Sequence, residues 1–202
     1  MKKRYITVMI CLLAAFLTGL CAVSQREQQR LAEKIVRLHV VANSDTQEDQ
    51  RVKLLVRDAV LQAASGAMEH QANPEAALQE SLPALERAAN ETLKRLGSAD
   101  TAKVSLRREL FPTRTYETFR LPSGVYRTIR VSIGKAQGHN WWCVVFPALC
   151  LPASAEDLEE ACQAAGFTDG EISILTEKTP EIELEFQTLE LIGKLKKILL
   201  DA

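Results

Sequence analysis

Phe111-Pro112-Thr113-Arg114-Thr115-Tyr116 and Asn140-Trp141-Trp142-Cys143-Val144-Val145-Phe146-Pro147-Ala148-Leu149-Cys150 bracket the part of the chain that decides the fold. Between them, Val125, Arg127, Ile129, Val131 and Ile133 alternate with Tyr126, Thr128, Arg130 and Ser132, the period of two expected of a strand with one covered face. Leu121-Pro122-Ser123-Gly124 supplies a turn before it. Trp141 to Phe146 is apolar on both parities and reads as a central strand, paired with 124–134 in a hairpin.

Working outward, Val36, Leu38 and Val40 alternate with Arg37, His39 and Val41 as a further strand near 36–42, stopped at Ala42-Asn43-Ser44-Asp45. A helix near 46–65 follows. Ser44 with Gln47, and Asp45 with Glu48, both fit a capping box. Its apolar face is Val52, Leu55, Val56, Ala59, Val60 and Ala63, with Asp49 placed to pair with Lys53 on the other side and Gly66 closing it. Asn73-Pro74 opens a helix near 74–96 that Pro83 should kink or split and Gly97 should end. Ala102, Val104 and Leu106 mark a strand near 102–110, and Ser154 caps a helix near 155–165. Ile182, Leu184 and Phe186 read as a strand giving way to a helix over 187–200. The expectation is an α+β fold, a small antiparallel or mixed sheet packed by helices, forming a single domain over 25–202.

Residues 1–24 stand apart. Lys2-Lys3-Arg4 precede Tyr5–Val23, a run without charge, which is an export signal, either cleaved or kept as a single membrane anchor. Ala22 and Ser24 are small residues at the −3 and −1 positions of a cut before Gln25, and cleavage is the favoured reading. Leu17-Thr18-Gly19-Leu20-Cys21 falls short of a lipoprotein box because Leu20 stands where a small residue belongs. In an exported body Cys143, Cys150 and Cys162 meet an oxidising compartment. A Cys143–Cys150 bridge, with Pro147 turning the chain between them, is slightly favoured over three buried thiols.

With 202 residues, 47% hydrophobic, 25% charged and a net charge of −1, the chain has no global pull toward nucleic acid, and export argues against that partner too. His39, His70 and His139 show no metal-ligand spacing, and no glycine-rich phosphate loop is present, so neither metal nor cofactor is expected. His139 and Cys143 invite a thiol-nucleophile reading, but four strand residues span about 13 Å. Asp45, Glu48 and Asp49 are better explained by the positive end of a helix than by cation binding. Arg107, Arg108, Arg114, Arg120, Arg127, Arg130 and Lys135 make the sheet region basic, as a solvated face or as a docking surface with Tyr116 and a tryptophan as anchors. On one strand Trp141 and Trp142 point to opposite sides, which places at least one of them in the core.

Leu38 to Asp45, Glu48-Asp49-Gln50 and Lys53 to Val60, then Phe111 to Tyr116, Leu121 to Tyr126 and Asn140 to Cys150, resemble the stage II sporulation protein R family in three ordered blocks. The resemblance implies an exported forespore signal, a ligand and not an enzyme. It would activate a membrane-embedded aspartic protease so that this removes the pro-sequence of a mother-cell sigma factor, pro-sigma-E. No small-molecule substrate is implied. The residues assigned to the partner surface are Asn43, Ser44, Asp45, Arg57, Asp58, Arg114, Tyr116, Trp141 and Trp142. A non-signalling envelope adaptor and a secreted thiol enzyme using Cys143 are the alternative classes.

Overall fold

The computed structural model describes residues 2–68, 74–147, 155–177 and 180–200. In chain order the elements are α1 (Lys2–Lys34), β1 (Val36–Val41), α2 (Gln47–Met68), α3 (Pro74–Arg95), β2 (Ala102–Phe111), β3 (Arg114–Thr115), β4 (Arg120–Leu121), β5 (Gly124–Ile133), β6 (Asn140–Phe146), α4 (Ala155–Ala164), α5 (Asp169–Thr176) and α6 (Pro180–Leu200). The fold is α+β, with a mixed four-stranded sheet and a two-stranded one. Backbone contacts divide it into two compact units, Met1–Glu33 with Leu110–Val125 and Thr168–Ala202, and Lys34–Glu109 with Tyr126–Phe167.

In the second unit the strand order is β2-β5-β1-β6. β5 and β6 therefore do not form the expected hairpin. β1 lies between them, parallel to β5 and antiparallel to β6. The central strand is β1, all six residues of which are buried, and β6 is an edge. The apolar run 141–146 misled because a disulfide half-cystine and one helix-covered face can make an edge strand apolar, whereas β1 hides two polar residues in its middle. Arg37 is fully buried, its guanidinium over the Tyr126 ring at 5.2 Å.

One face of this sheet carries the core. Val36, Leu38 and Val40, Ile129, Val131 and Ile133, and Cys143 and Val145 meet Val52, Val56 and Val60 of α2 and Leu78, Leu85, Ala89 and Leu93 of α3. The helical periodicity of the sequence thus found its partner, with two corrections. Leu55 is 37% exposed, and Lys53, expected outside, is buried. α2 also runs past Gly66 to Met68, and α3 continues through Pro83 as one helix. At the far edge, α3 covers β2. The Asn90 amide donates to the Ala102 carbonyl and accepts from its N–H, both at 2.9 Å, and the Glu86 carboxylate accepts from the Val104 N–H. Such blocking keeps an edge strand from pairing with another chain.

The first unit buries Leu31, Phe111, Phe119, Leu121, Ile172, Leu175, Phe186 and Leu189. α1 is one continuous helix from the N-terminal run into the folded body. Among the described residues no helix is long and apolar enough to cross a membrane, and the side chains of 13, 14, 17, 20 and 21 lie outside that set. The strand expected at 182–186 is helix. Pro180 takes the first helical position, which its fixed φ favours, and α6 then runs without interruption to Leu200. The Arg120 guanidinium pairs with Glu183 at 2.6 Å and stacks on Phe186, tying β4 to α6. α5 was not foreseen, although Thr168 and Glu171 form a capping box that the pattern T-x-x-E announces. The caps expected at Asn73 and Ser154 lie outside the described residues, as do His70 and Cys150.

Replacing Asn90 by Ala strips both backbone groups of Ala102 of a partner. A loss of about 1–3 kcal/mol is expected, read as a lower urea midpoint with an unchanged m-value.

Candidate functional site

The corner between β1 and α2 is built almost entirely from its own side chains. Thr46, not Ser44 or Asp45, is the N-terminal cap of α2: its hydroxyl accepts from the Asp49 N–H at 3.2 Å. The Asp49 carboxylate turns back and accepts from the Ser44 hydroxyl at 2.5 Å and the Asn43 amide at 3.1 Å. Asp49 therefore does not pair with Lys53. Hydrogen bonds from Ser44, opposed by some burial and helped by Asn43 and Thr46, hold the Asp49 carboxyl below the usual aspartate range.

The turn between β5 and β6 grips the same corner. Asn43 Oδ1 accepts from the Lys135 N–H at 2.9 Å, and the Asn43 and Ala42 carbonyls accept from Gln137 and Gly138. Two glycines permit this approach. Gly134 has φ of +54°, and a Cβ on it would meet the Asn43 side chain, while a Cβ on Gly138 would run into the Ser44 backbone. Asn43 and Ser44 are thus committed to the fold. Of the three corner residues proposed as partner contacts, Asp45 alone presents a largely exposed carboxylate, which accepts from the His139 N–H at 2.6 Å and sits 2.5 Å from His139 Nδ1. The backbone bond from His139 lowers its proton affinity.

Next to this corner the structure brings three more of the expected residues together. The Arg57 guanidinium lies 4.5 Å from the centroid of the Trp141 ring and pairs with Asp58 at 2.7 Å. A cation held on an exposed indole fixes a large apolar plate at small cost in side-chain freedom. Trp141 is 37% exposed, and Leu54 and Leu55 on the same helix are similarly open. Below them Lys53 is buried, donating to the Gln50 side chain at 2.6 Å and to the His139 carbonyl at 2.9 Å, and desolvation lowers its pKa. Asp45 is thus placed by the β1–α2 corner, Arg57 and Asp58 by α2 and Trp141 by β6, with His139 completing the face.

Trp142 is not part of it. It projects to the opposite face of the sheet, half-buried, with its ring centroid 5.8 Å from that of His39. Neither tryptophan is a fully buried core residue, because β6 is an edge strand. Arg114 and Tyr116 belong to the first unit, where Tyr116 stacks on Phe119 at 4.4 Å and donates its N–H to the Phe119 carbonyl. Cys143 is disulfide-bonded. Cys162 is a buried free thiol whose pKa burial pushes up to about 11, an inert apolar filler. Among the described residues no group of His, Cys, Asp and Glu is arranged to hold a metal ion.

Sequence reasoning missed His139 as a partner of Asp45, and it missed a polar network centred on His39. His39 Nδ1 lies 2.6 Å from Glu109 Oε2, Nε2 lies 2.9 Å from Asn140 Oδ1, and Arg130 donates to Glu109 Oε1 at 3.1 Å. Burial pushes the Glu109 carboxyl up, but the hydrogen bonds and charges of His39 and Arg130 more than reverse this, leaving it below the usual range. The one available signal was a histidine and an arginine on the parity opposite the apolar residues of two otherwise apolar strands.

The Asp49 carboxyl titrates lower in the folded chain than in the unfolded one. Its contribution is therefore present well above the ordinary value of 3.8 and is lost as pH falls through the folded value. Asp49→Asn should lower stability at neutral pH and flatten the acid limb of a stability–pH curve. Gly138→Ala should lower the melting temperature at every pH, since its clash is with backbone. Thermal melts between neutral and acid pH separate the two effects.

The profile of the family described as stage II sporulation protein R matches residues 32–156. The protein of that name from Bacillus subtilis (strain 168) is 33% identical over 164 residues, covering 75% of this chain and 72% of the relative. No solved structure matches. The matched region holds the β1–α2 corner, the four-stranded sheet and the Asp45–Trp141 face, and the chain belongs to the stage II sporulation protein R family.

Proposed function

We propose that this protein is an exported signalling ligand of endospore formation. It is made in the forespore and passes toward the space between forespore and mother cell. There it activates a membrane-embedded aspartic protease, which then removes the pro-sequence of pro-sigma-E. Family membership carries this reading. The charged start and uncharged run of residues 2–23 support export, and a disulfide at Cys143 suits an oxidising compartment. The same disulfide speaks against the thiol-enzyme alternative, since a bridged sulfur offers no thiolate.

Activation by a ligand requires that it bind the active arrangement of the protease better than the inactive one. In our reading the contact is made by the Asp45–Arg57–Asp58–Trp141 face, with Arg114 and Tyr116 as a second element. The pre-stacked Arg57–Trp141 pair resembles the aromatic and arginine anchors on which binding energy concentrates.

The test is co-expression of the full chain with the protease and pro-sigma factor in a non-sporulating host, following pro-sequence removal by immunoblot. Processing should require the protease and the N-terminal segment of this chain. Absence of processing with all three present and this chain exported would return the function to an envelope adaptor. Trp141→Ala should reduce processing at least about 30-fold, the effect of losing a hot-spot anchor worth ~2 kcal/mol. Arg114→Ala with Tyr116→Ala should abolish it while leaving export and folding intact. Normal signalling by either variant would remove that residue set from the surface.

A further inference from the structure

The His39 network crosses the whole sheet in strand order. Glu109 stands on β2, Arg130 on β5, His39 on β1 and Asn140 on β6, and the strands lie in that sequence side by side. Arg130 and His39 are register partners, and His39 in turn faces Trp142. Both ring nitrogens of His39 meet side-chain oxygens, Glu109 Oε2 and Asn140 Oδ1. The ring bridges both partners in either charge state, because the Asn140 amide can turn over to donate where the ring nitrogen accepts.

Asn140 is the first residue of β6, between His139 and Trp141. His139 is held from the helix-covered side by Asp45 and Lys53, and Trp141 by Arg57. From the other side Asn140 is tied to His39. The start of this edge strand, which carries the exposed tryptophan, is therefore gripped from both faces.

We propose that His39 is a positioning residue for the Asp45–Trp141 face: its ring closes a polar ladder across all four strands and, through Asn140, holds the start of β6 and with it the pose of Trp141. The charged groups facing the ring are Glu109 from β2 and Arg130 from β5, whose Nη1 is 3.5 Å from Nδ1, while β6 contributes Asn140 and Trp142. Glu109 faces the ring as a carboxylate, its carboxyl held below the usual range. The consequence for signalling rests on the function proposed above, whereas the positioning itself does not.

The experiment uses the full chain with Trp142→Phe, which leaves Trp141 as the sole tryptophan. Acrylamide quenching of Trp141 should be weak in this background. Adding His39→Gln should raise it. Glu109→Gln, which keeps shape and removes the charge facing Nδ1, should raise it as well, and it serves if His39→Gln does not fold. In the co-expression assay His39→Gln should reduce processing about tenfold, within the coupling seen for one member of a contacting network. Quenching that is the same in all three backgrounds overturns the proposal, whether or not the chain activates the protease. If the quenching behaves as expected but the wild-type chain gives no processing, His39 positions Trp141 and the signalling function is what falls.

Discussion

A strand buried on both faces and along both edges has to find surroundings for every polar side chain it carries, and β1 carries two. Arg37 and His39 sit mid-strand on the face away from α2 and α3, in a strand all six residues of which are buried. Leaving such groups without partners would cost several kcal/mol each. The neighbouring strands are composed accordingly: Tyr126 offers its ring to Arg37, and Glu109, Arg130 and Asn140 surround His39. The polar composition of β2, β5 and β6 on that face follows from the placement of β1 in the middle.

The same placement explains the corner. A chain leaving the centre of a sheet to start a helix must cross the loop joining its two neighbours. Here Asn43, Ser44 and Asp49 form the clasp between them, with Gly134 and Gly138 leaving room for it. Residues whose type suggests recognition turn out to be structural, and recognition passes to what the clasp displays. Asp45 and His139 project from it, and Arg57, Asp58 and Trp141 extend the face along α2 and the start of β6. This face belongs to one unit of the molecule and Arg114 and Tyr116 to the other.

Much of this was legible one element at a time. Alternation located four strands to within a residue or two, and three-and-four spacing located α2 and α3, because burial of one face imposes those periods on any sequence. Failures arose where two periods coincided or a local motif had competitors. Residues 182–186 alternate yet lie in a helix, since Phe186 and Leu189 also satisfy helical spacing toward a buried side. Ser44, Asp45 and Thr46 all had capping chemistry, and the backbone turn selected Thr46.

By itself the sequence determined the class of fold, the extent of most elements, the ordered blocks that mark the family, and the cluster of Arg57, Asp58 and Trp141 as candidates for a surface. Strand order was decided only in three dimensions, because pairing energies depend on which faces a strand must hide and not on its neighbours in the chain. The His39–Glu109 and His39–Asn140 contacts join residues 70 and 101 positions apart, and no local period encodes such a pairing. Tertiary structure likewise turned Asn43 and Ser44 inward and left Asp45 outside. It did so because Asn43 and Ser44 find hydrogen-bond partners within the corner, in Asp49 and the Lys135 N–H, whereas Asp45 pairs with the exposed His139.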